Sequence, residues 1–173
     1  MNPEHRRLRR AYVGLGSNVD PARHLARALD ELGRQFGRLE RSPVCDSPAA
    51  GYAGPDYWNL CVAFETDRPA AELKTCLKQI EQRLGRNPDE PRNAPKVLDA
   101  DLLLLGDEVA AAPPLPHPEI LTRAYVLGPL AMLAPDRRLP GSSIPLGNLW
   151  RDFEDRDTLR VLVPDPLAIP GTR

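Results

Sequence analysis

Two stretches of the chain carry apolar residues at helical spacing. Leu25, Ala28, Leu29, Leu32 and Phe36 predict an amphipathic helix over roughly 21–36. Asp20 stands at its N-cap and Pro21 in its first turn, and Arg23, Arg27 and Arg34 fall on its wet face. Leu73, Leu77, Ile80 and Leu84 predict a second helix from about 70 to 84, opened by Asp67-Arg68-Pro69 and stopped at Gly85. Elsewhere the apolar runs are short or rich in β-forming residues, which marks strands. Strands are expected over Ala11–Gly16, near 38–45 (interrupted by Pro43), over Tyr57–Glu65 and over Lys96–Leu105, which ends at Gly106-Asp107. The segments 46–56 and 86–96 hold prolines and polar residues and are expected to be loops. A short strand is expected around Glu108-Val109, then a turn and a helix over 118–134 that ends near Ala134-Pro135. In the tail, Leu149-Trp150 and Leu159–Val163 are expected to pack back as a helix end and a short strand.

The order strand, helix, strand, strand, helix, strand is that of an α+β, ferredoxin-like βαββαβ core. Its antiparallel sheet is covered by helices and joined by long proline-rich loops. That arrangement hosts many functions, so chemistry has to decide among them.

Side chains alternate along a strand, so Asp99 and Asp101 share a face, with Leu103 and Leu105 beyond them. Leu98, Ala100, Leu102 and Leu104 take the other face. Two carboxylates side by side at the mouth of an apolar strand repel and are costly to bury unpaired. A Mg²⁺ ion removes that cost and suits two carboxylates completed by water and phosphate oxygens. The same spacing also fits one loop Asp beside one Asp met by an Arg.

Composition excludes several classes. A formal net charge of -1 leaves no bulk attraction to nucleic acid or an anionic membrane. No apolar run approaches the ~18 residues of a membrane span. Cys45, Cys61 and Cys76 form no C-x-x-C pair, which suggests reduced thiols in a cytoplasm. Arg6, Arg7, Arg9 and Arg10 give residues 1–10 the look of a basic solvated tail ahead of a single domain over 11–173. A monomer is the default expectation. Gly14 and Gly16 let a ligand or backbone come close, but Val19 replaces the third glycine of a dinucleotide fingerprint.

Other residues point toward the carboxylate pair. Tyr57 and Asn59 share a strand face and offer a stacking ring and a carboxamide, which suit a flat heterocycle with a mixed hydrogen-bonding edge. His117 lies in a Pro-His-Pro turn followed by Arg123 and Tyr125, as phosphate charge stabilisation would use.

In their order, Gly14-Leu15-Gly16-Ser17-Asn18, Pro55-Asp56-Tyr57-Trp58-Asn59, Ile80-Glu81 and Leu84-Gly85-Arg86 form a recognisable series. It continues with Pro95-Lys96-Val97-Leu98-Asp99-Ala100-Asp101-Leu102-Leu103, Leu115-Pro116-His117-Pro118 and Arg123-Ala124-Tyr125-Val126-Leu127. Over about residues 10–135 the sequence resembles the 6-hydroxymethyl-7,8-dihydropterin pyrophosphokinases of folate biosynthesis. The resemblance implies transfer of the diphosphoryl group of ATP, the co-substrate, to the hydroxymethyl oxygen of a reduced pterin, with release of AMP. By the same resemblance Asp99 and Asp101 would hold two Mg²⁺ ions. Asn59, Tyr57 and Tyr125 would surround the pterin. Glu81, Arg86, Lys96, His117 and Arg123 would meet ATP, with Arg86 and Lys96 also serving catalysis. The loops 46–56 and 86–97 would close as lids.

The chain departs from that pattern around the lid. Asn93 stands where the family has a Trp, Lys96 where it has an Arg, and Pro88 where it has a further basic residue. Ala112 and Pro114 occupy positions that are often Arg and Thr at the nucleotide edge. Asp46 and Ser47 replace a Thr-Pro pair that lines the pterin pocket. Lys keeps the charge of Arg but loses its bidentate fork. Besides a folate-type enzyme, two alternatives follow. One is a paralogue acting on a different pterin, whose polar edge or side-chain hydroxyl Asp46 would bond. The other is a catalytically weak pterin- or nucleotide-binding protein. A nucleic-acid-binding module is disfavoured, since the sheet would need exposed aromatics and a basic face.

Overall fold

The computed structural model describes residues 7–49, 51, 53–91 and 94–168. The first strand, β1 (Arg9–Ser17), lies between β4 (Tyr57–Thr66) and β5 (Asp99–Leu105), antiparallel to both. On the far side of β4 run β2 (Glu40–Arg41) and β3 (Cys45–Ser47), and β8 (Arg160–Val161) closes the sheet beyond β3. Helices α1 (Pro21–Phe36) and α2 (Ala70–Arg83) cover one face, over a core that includes Val13, Leu25, Leu32, Val62, Phe64 and Leu77. Phe36 stacks on Phe64 with ring centroids 4.2 Å apart. The other face is covered in part by α3 (Ala124–Leu133) and α4 (Leu146–Arg151), which enclose Tyr12, Leu103, Leu104, Leu127 and Leu130. This is the ferredoxin-like order expected from the sequence, with a hairpin, β6 (Ala110–Ala111) and β7 (Pro114–Leu115), added beside it.

Several local expectations are corrected. The basic tail is shorter than 1–10, because Arg9 and Arg10 belong to β1. Partners far along the chain hold them there: Glu108 at 2.5 Å from Arg9 and Glu40 at 2.7 Å from Arg10. Arg6 lies outside the described residues. Asp20 precedes α1 but does not cap it with its side chain, since its backbone is left-handed at φ 41°. The strand expected near 38–45 splits in two. Pro43 has no N–H to donate, and the ladder resumes only at Cys45, so Asp46 and Ser47 belong to β3 rather than to a loop. The short strand lies at β6 rather than at Glu108-Val109.

The strand of the carboxylate pair begins at Asp99 rather than Lys96, and its alternation breaks near its end. Pairing passes from Val13 opposite Leu102 to Tyr12 opposite Leu104, leaving Leu103 as the extra residue of a bulge. Leu103 and Leu104 therefore both pack beneath α3, while Leu102 and Leu105 face α1 and α2. The expected facing of Leu104 and Leu105 is reversed for that reason.

Candidate active site

Strand register builds a trough on the α3 side of the sheet. Across the sheet, Asn59 lies opposite Gly16 and Gly16 opposite Asp99; in the next row Cys61, Gly14 and Asp101 line up the same way. The central strand thus offers no side chain beyond hydrogen in either row. Its floor is bare backbone between a wall that carries Asn59 and a wall that carries the two carboxylates. A Cβ on Gly16 would lie 3.0 Å from Asn59 Oδ1, which shows how little room the floor leaves.

The cleft has a volume of about 640 Å³ and brings together Tyr57, Asn59, Arg86, Lys96, Asp99, Asp101, His117, Arg123 and Tyr125. Each of these was singled out in the sequence. Ser47, marked in the sequence only as a departure from the family pattern, lines it too, and so do two residues that the sequence does not mark, Lys78 and Glu119. No local pattern marks them: Lys78 follows Leu77 in α2 at a position that reads as wet face, yet its side chain reaches round the sheet edge at β5.

Glu81 and Asp46 do not line the cleft. The Glu81 carboxylate is 2 % exposed and works from behind. It accepts the Ala100 N–H at 2.7 Å, covering the free edge of β5, and holds Lys78 at 2.8 Å and Arg86 at 2.9 Å. Burial pushes the Glu81 carboxyl up, only partly offset by Lys78, the Ala100 N–H and Arg86. Arg86 in turn donates to Asp99 Oδ1 at 2.6 Å. Burial pulls the Arg86 guanidinium down, but Asp99 and Glu81 outweigh it and hold it above its ordinary value. Asp46 sits one residue out of phase with the cleft. It pairs with Trp58 on the opposite face and forms an ion pair with Arg160.

The Asp101 carboxylate receives no hydrogen bond or ion pair from the described residues. Burial, then the charge of Asp99, push its carboxyl above the ordinary range. A half-buried carboxylate beside a second one, with only Asp99 satisfied by a guanidinium, is a donor set that fits a hard divalent cation. Among the described residues, no group of three or more acidic, His or Cys side chains forms a ready-made metal cage. Ligand phosphates and water would have to complete the shell.

The remaining polar groups come from loop and helix ends. His117 precedes a 3-10 turn, and its Nδ1 accepts from the Glu119 N–H at 3.3 Å. The neutral ring therefore carries its proton on Nε2, a donor. Arg123 and Tyr125 are delivered by the N-terminus of α3. Burial pushes the Tyr125 phenol up, reinforced by Glu119. Asn18 ties both rim loops to the end of β1: its Oδ1 accepts the Lys96 N–H at 2.7 Å and its Nδ2 donates to Pro55 O at 3.1 Å. Asn93 lies outside the described residues. Pro88 is exposed on the rim loop.

A ferredoxin-like sheet whose edge carries a carboxylate pair, ringed by Lys78, Arg86, Lys96 and Arg123, defines a small α+β transferase suited to polyphosphate. The model of the 7,8-dihydro-6-hydroxymethylpterin-pyrophosphokinase family matches residues 12–135, and the chain belongs to that family. It is 39% identical over 145 residues to the 2-amino-4-hydroxy-6-hydroxymethyldihydropteridine pyrophosphokinase of Pseudomonas aeruginosa, covering 80% of this chain and 89% of that one. The Haemophilus influenzae protein of the same name is 31% identical over 157 residues, covering 87% and 97%. The fold is shared with a crystal structure of Plasmodium falciparum HPPK-DHPS with pteroate, at TM-score 0.70 and 12% identity. That match covers 87% of this chain and 43% of the longer Plasmodium chain.

Proposed function

We propose that this protein transfers the diphosphoryl group of ATP to the hydroxymethyl group of 6-hydroxymethyl-7,8-dihydropterin, releasing AMP, in folate biosynthesis. The observation that carries this is the glycine-floored trough, with Asn59 on one wall and Asp99 and Asp101 on the other. The pterin lies over Gly14 and Gly16, with its polar edge at Asn59 and its ring near Tyr57 and Tyr125. Its hydroxymethyl group then points toward the carboxylate wall. ATP takes the cationic side, against Arg86, Lys96, His117 and Arg123, with Lys78 as a further cation. The hydroxymethyl oxygen forms a bond to the β-phosphorus as the bond from that phosphorus to the α-phosphate oxygen breaks. The hydroxyl proton is released and AMP departs. Catalysis of this kind is chiefly positioning and charge neutralisation.

Asp99 and Asp101 are the residues that would hold two Mg²⁺ ions. When bound, Mg²⁺ neutralises the phosphate oxygens and orients them for in-line displacement. Glu81 serves indirectly, by holding Arg86 and Lys78 at the cleft wall. The three cysteines are free and buried, in keeping with a cytoplasmic setting. Among the described residues no helix is long and apolar enough to cross a membrane. A monomer is proposed and is checked by sedimentation.

The test is incubation with MgATP and 6-hydroxymethyl-7,8-dihydropterin while AMP, ADP and the pterin diphosphate are resolved. AMP and pterin diphosphate should appear in equal amounts. ATP binding without pterin-dependent AMP would overturn the assignment, and AMP formed only with a differently substituted pterin would redirect it.

A further inference from the structure

The family match ends at residue 135, yet the chain beyond it closes the sheet beside the Asn59 wall. In β8, Val161 lies opposite Cys45 and Arg160 opposite Asp46, and the Leu162 N–H donates to Val44 O at 2.9 Å. Without this segment the three-residue strand β3 would be an open edge.

On its other side β3 meets β4, with Cys45 opposite Asn59 and Ser47 opposite Tyr57. Ser47 therefore shares the cleft face with Asn59, and its Oγ accepts the Asn59 Nδ2 hydrogen at 2.9 Å. The same Nδ2 also donates to Tyr57 O at 3.3 Å. With its donor committed, Asn59 turns Oδ1 toward Gly16 and the trough floor. The orientation of the carboxamide thus depends on where β3 sits.

Asp46, between Cys45 and Ser47, is the residue through which the tail grips β3. Its side chain is 11 % exposed and is met by the Arg160 guanidinium, itself 75 % exposed. A second grip, Arg41 to Asp165 at 2.8 Å, anchors the chain just past β8.

We propose that the Asp46–Arg160 pair is a positioning clamp for heterocycle recognition: the C-terminal strand holds β3 in the register at which Ser47 sets the Asn59 carboxamide. That the heterocycle is a pterin rests on the function proposed above. Removing Arg160 leaves a carboxylate at a half-covered sheet edge, where it gains by turning to water. β3 then shifts, and Ser47 loses its hold on Asn59. Two strands, β4 and β1, lie between β3 and the carboxylate wall, which keeps its geometry.

The test compares Arg160→Ala, Arg160→Lys and Asn59→Ala, singly and with Arg160→Ala combined with Asn59→Ala. Binding of the unreactive 6-hydroxymethylpterin, beside a non-hydrolysable ATP analogue with Mg²⁺, is read by calorimetry. Arg160→Ala should weaken pterin binding about fivefold and leave nucleotide affinity within about twofold. Arg160→Lys should recover most of the loss, and in the Asn59→Ala background Arg160→Ala should have no further effect. Unchanged pterin affinity, equal loss for both ligands, or an undiminished effect without Asn59 would each overturn the clamp. The function itself is judged separately, by AMP formation in the wild type. A wild type that binds pterin without forming AMP refutes the function and still decides the clamp, whereas one that binds no pterin refutes both.

Discussion

Asn59 and Asp99 face each other across Gly16, on the same row of the sheet. Two strand spacings separate them, about 9.5 Å of bare backbone. The gap exists because β1 has glycine at the middle position, and a methyl group there would meet Asn59 Oδ1 at 3.0 Å and Tyr57 Cδ1 at 3.8 Å. Gly16→Ala should raise the pterin KM about tenfold while ATP affinity stays near wild type. Steady-state kinetics with each substrate varied in turn checks this.

The two carboxylates differ in their surroundings, so their variants should differ too. Asp99 is engaged by Arg86 at 2.6 Å, whereas Asp101 is raised by burial and by Asp99. Asp99→Ala and Asp101→Ala should each lower kcat by about 10²–10³-fold or more. Asp101→Asn, however, relieves a buried like-charge contact and should raise the thermal midpoint of the metal-free protein. Calorimetry with EDTA shows the gain, and saturating Mg²⁺ should abolish or reverse it.

Glu81 gives a pH signature in stability. Burial raises its carboxyl above the value of the unfolded chain, so the folded state holds its proton to higher pH. The stability tied to that proton is fully present below the unfolded value of about 4.3 and is lost as pH rises through the folded one. Glu81→Gln should flatten that part of the curve, read as the difference in thermal midpoint between variant and wild type from pH 4 upward. It should also lower kcat about tenfold, since Arg86 and Lys78 lose the carboxylate that aims them.

Asn18 joins loops that flank the cleft on either side, through Lys96 N and Pro55 O. Asn18→Ala removes both links and should cost about 2 kcal/mol of stability, near 1 kcal/mol per hydrogen bond. The KM of both substrates should rise together, because each rim then loses its side-chain tether and only the backbone bond from Asn18 N–H to Lys96 O at 3.1 Å is kept. A change confined to one substrate would refute the shared-tether role.

Much of the site was legible because it is written in short windows. The i, i+2 spacing of Asp99 and Asp101 places them on one face in any strand. The same rule pairs Tyr57 with Asn59 and Gly14 with Gly16, and all six line the cleft. Asp46 shows the limit of that rule. Pro43 breaks the strand before it, so its phase relative to Asn59 is set only by pairing with β4, which turns Ser47 inward and Asp46 outward. Lys78 and Glu81 show another: i, i+3 spacing on α2 is visible, but the packing of that helix edge against β5 is not.

The sequence by itself determined the element order, the helical and strand faces, the carboxylate pair and the glycines of the floor. Each follows from the geometry of contiguous residues. Only the tertiary structure decided the bulge that turns Leu104 under α3, the burial of Glu81 behind Arg86, and the meeting of Asp46 with Arg160, 114 residues away. Those depend on register between distant segments, and register is selected by the summed packing of both sheet faces rather than by any local preference.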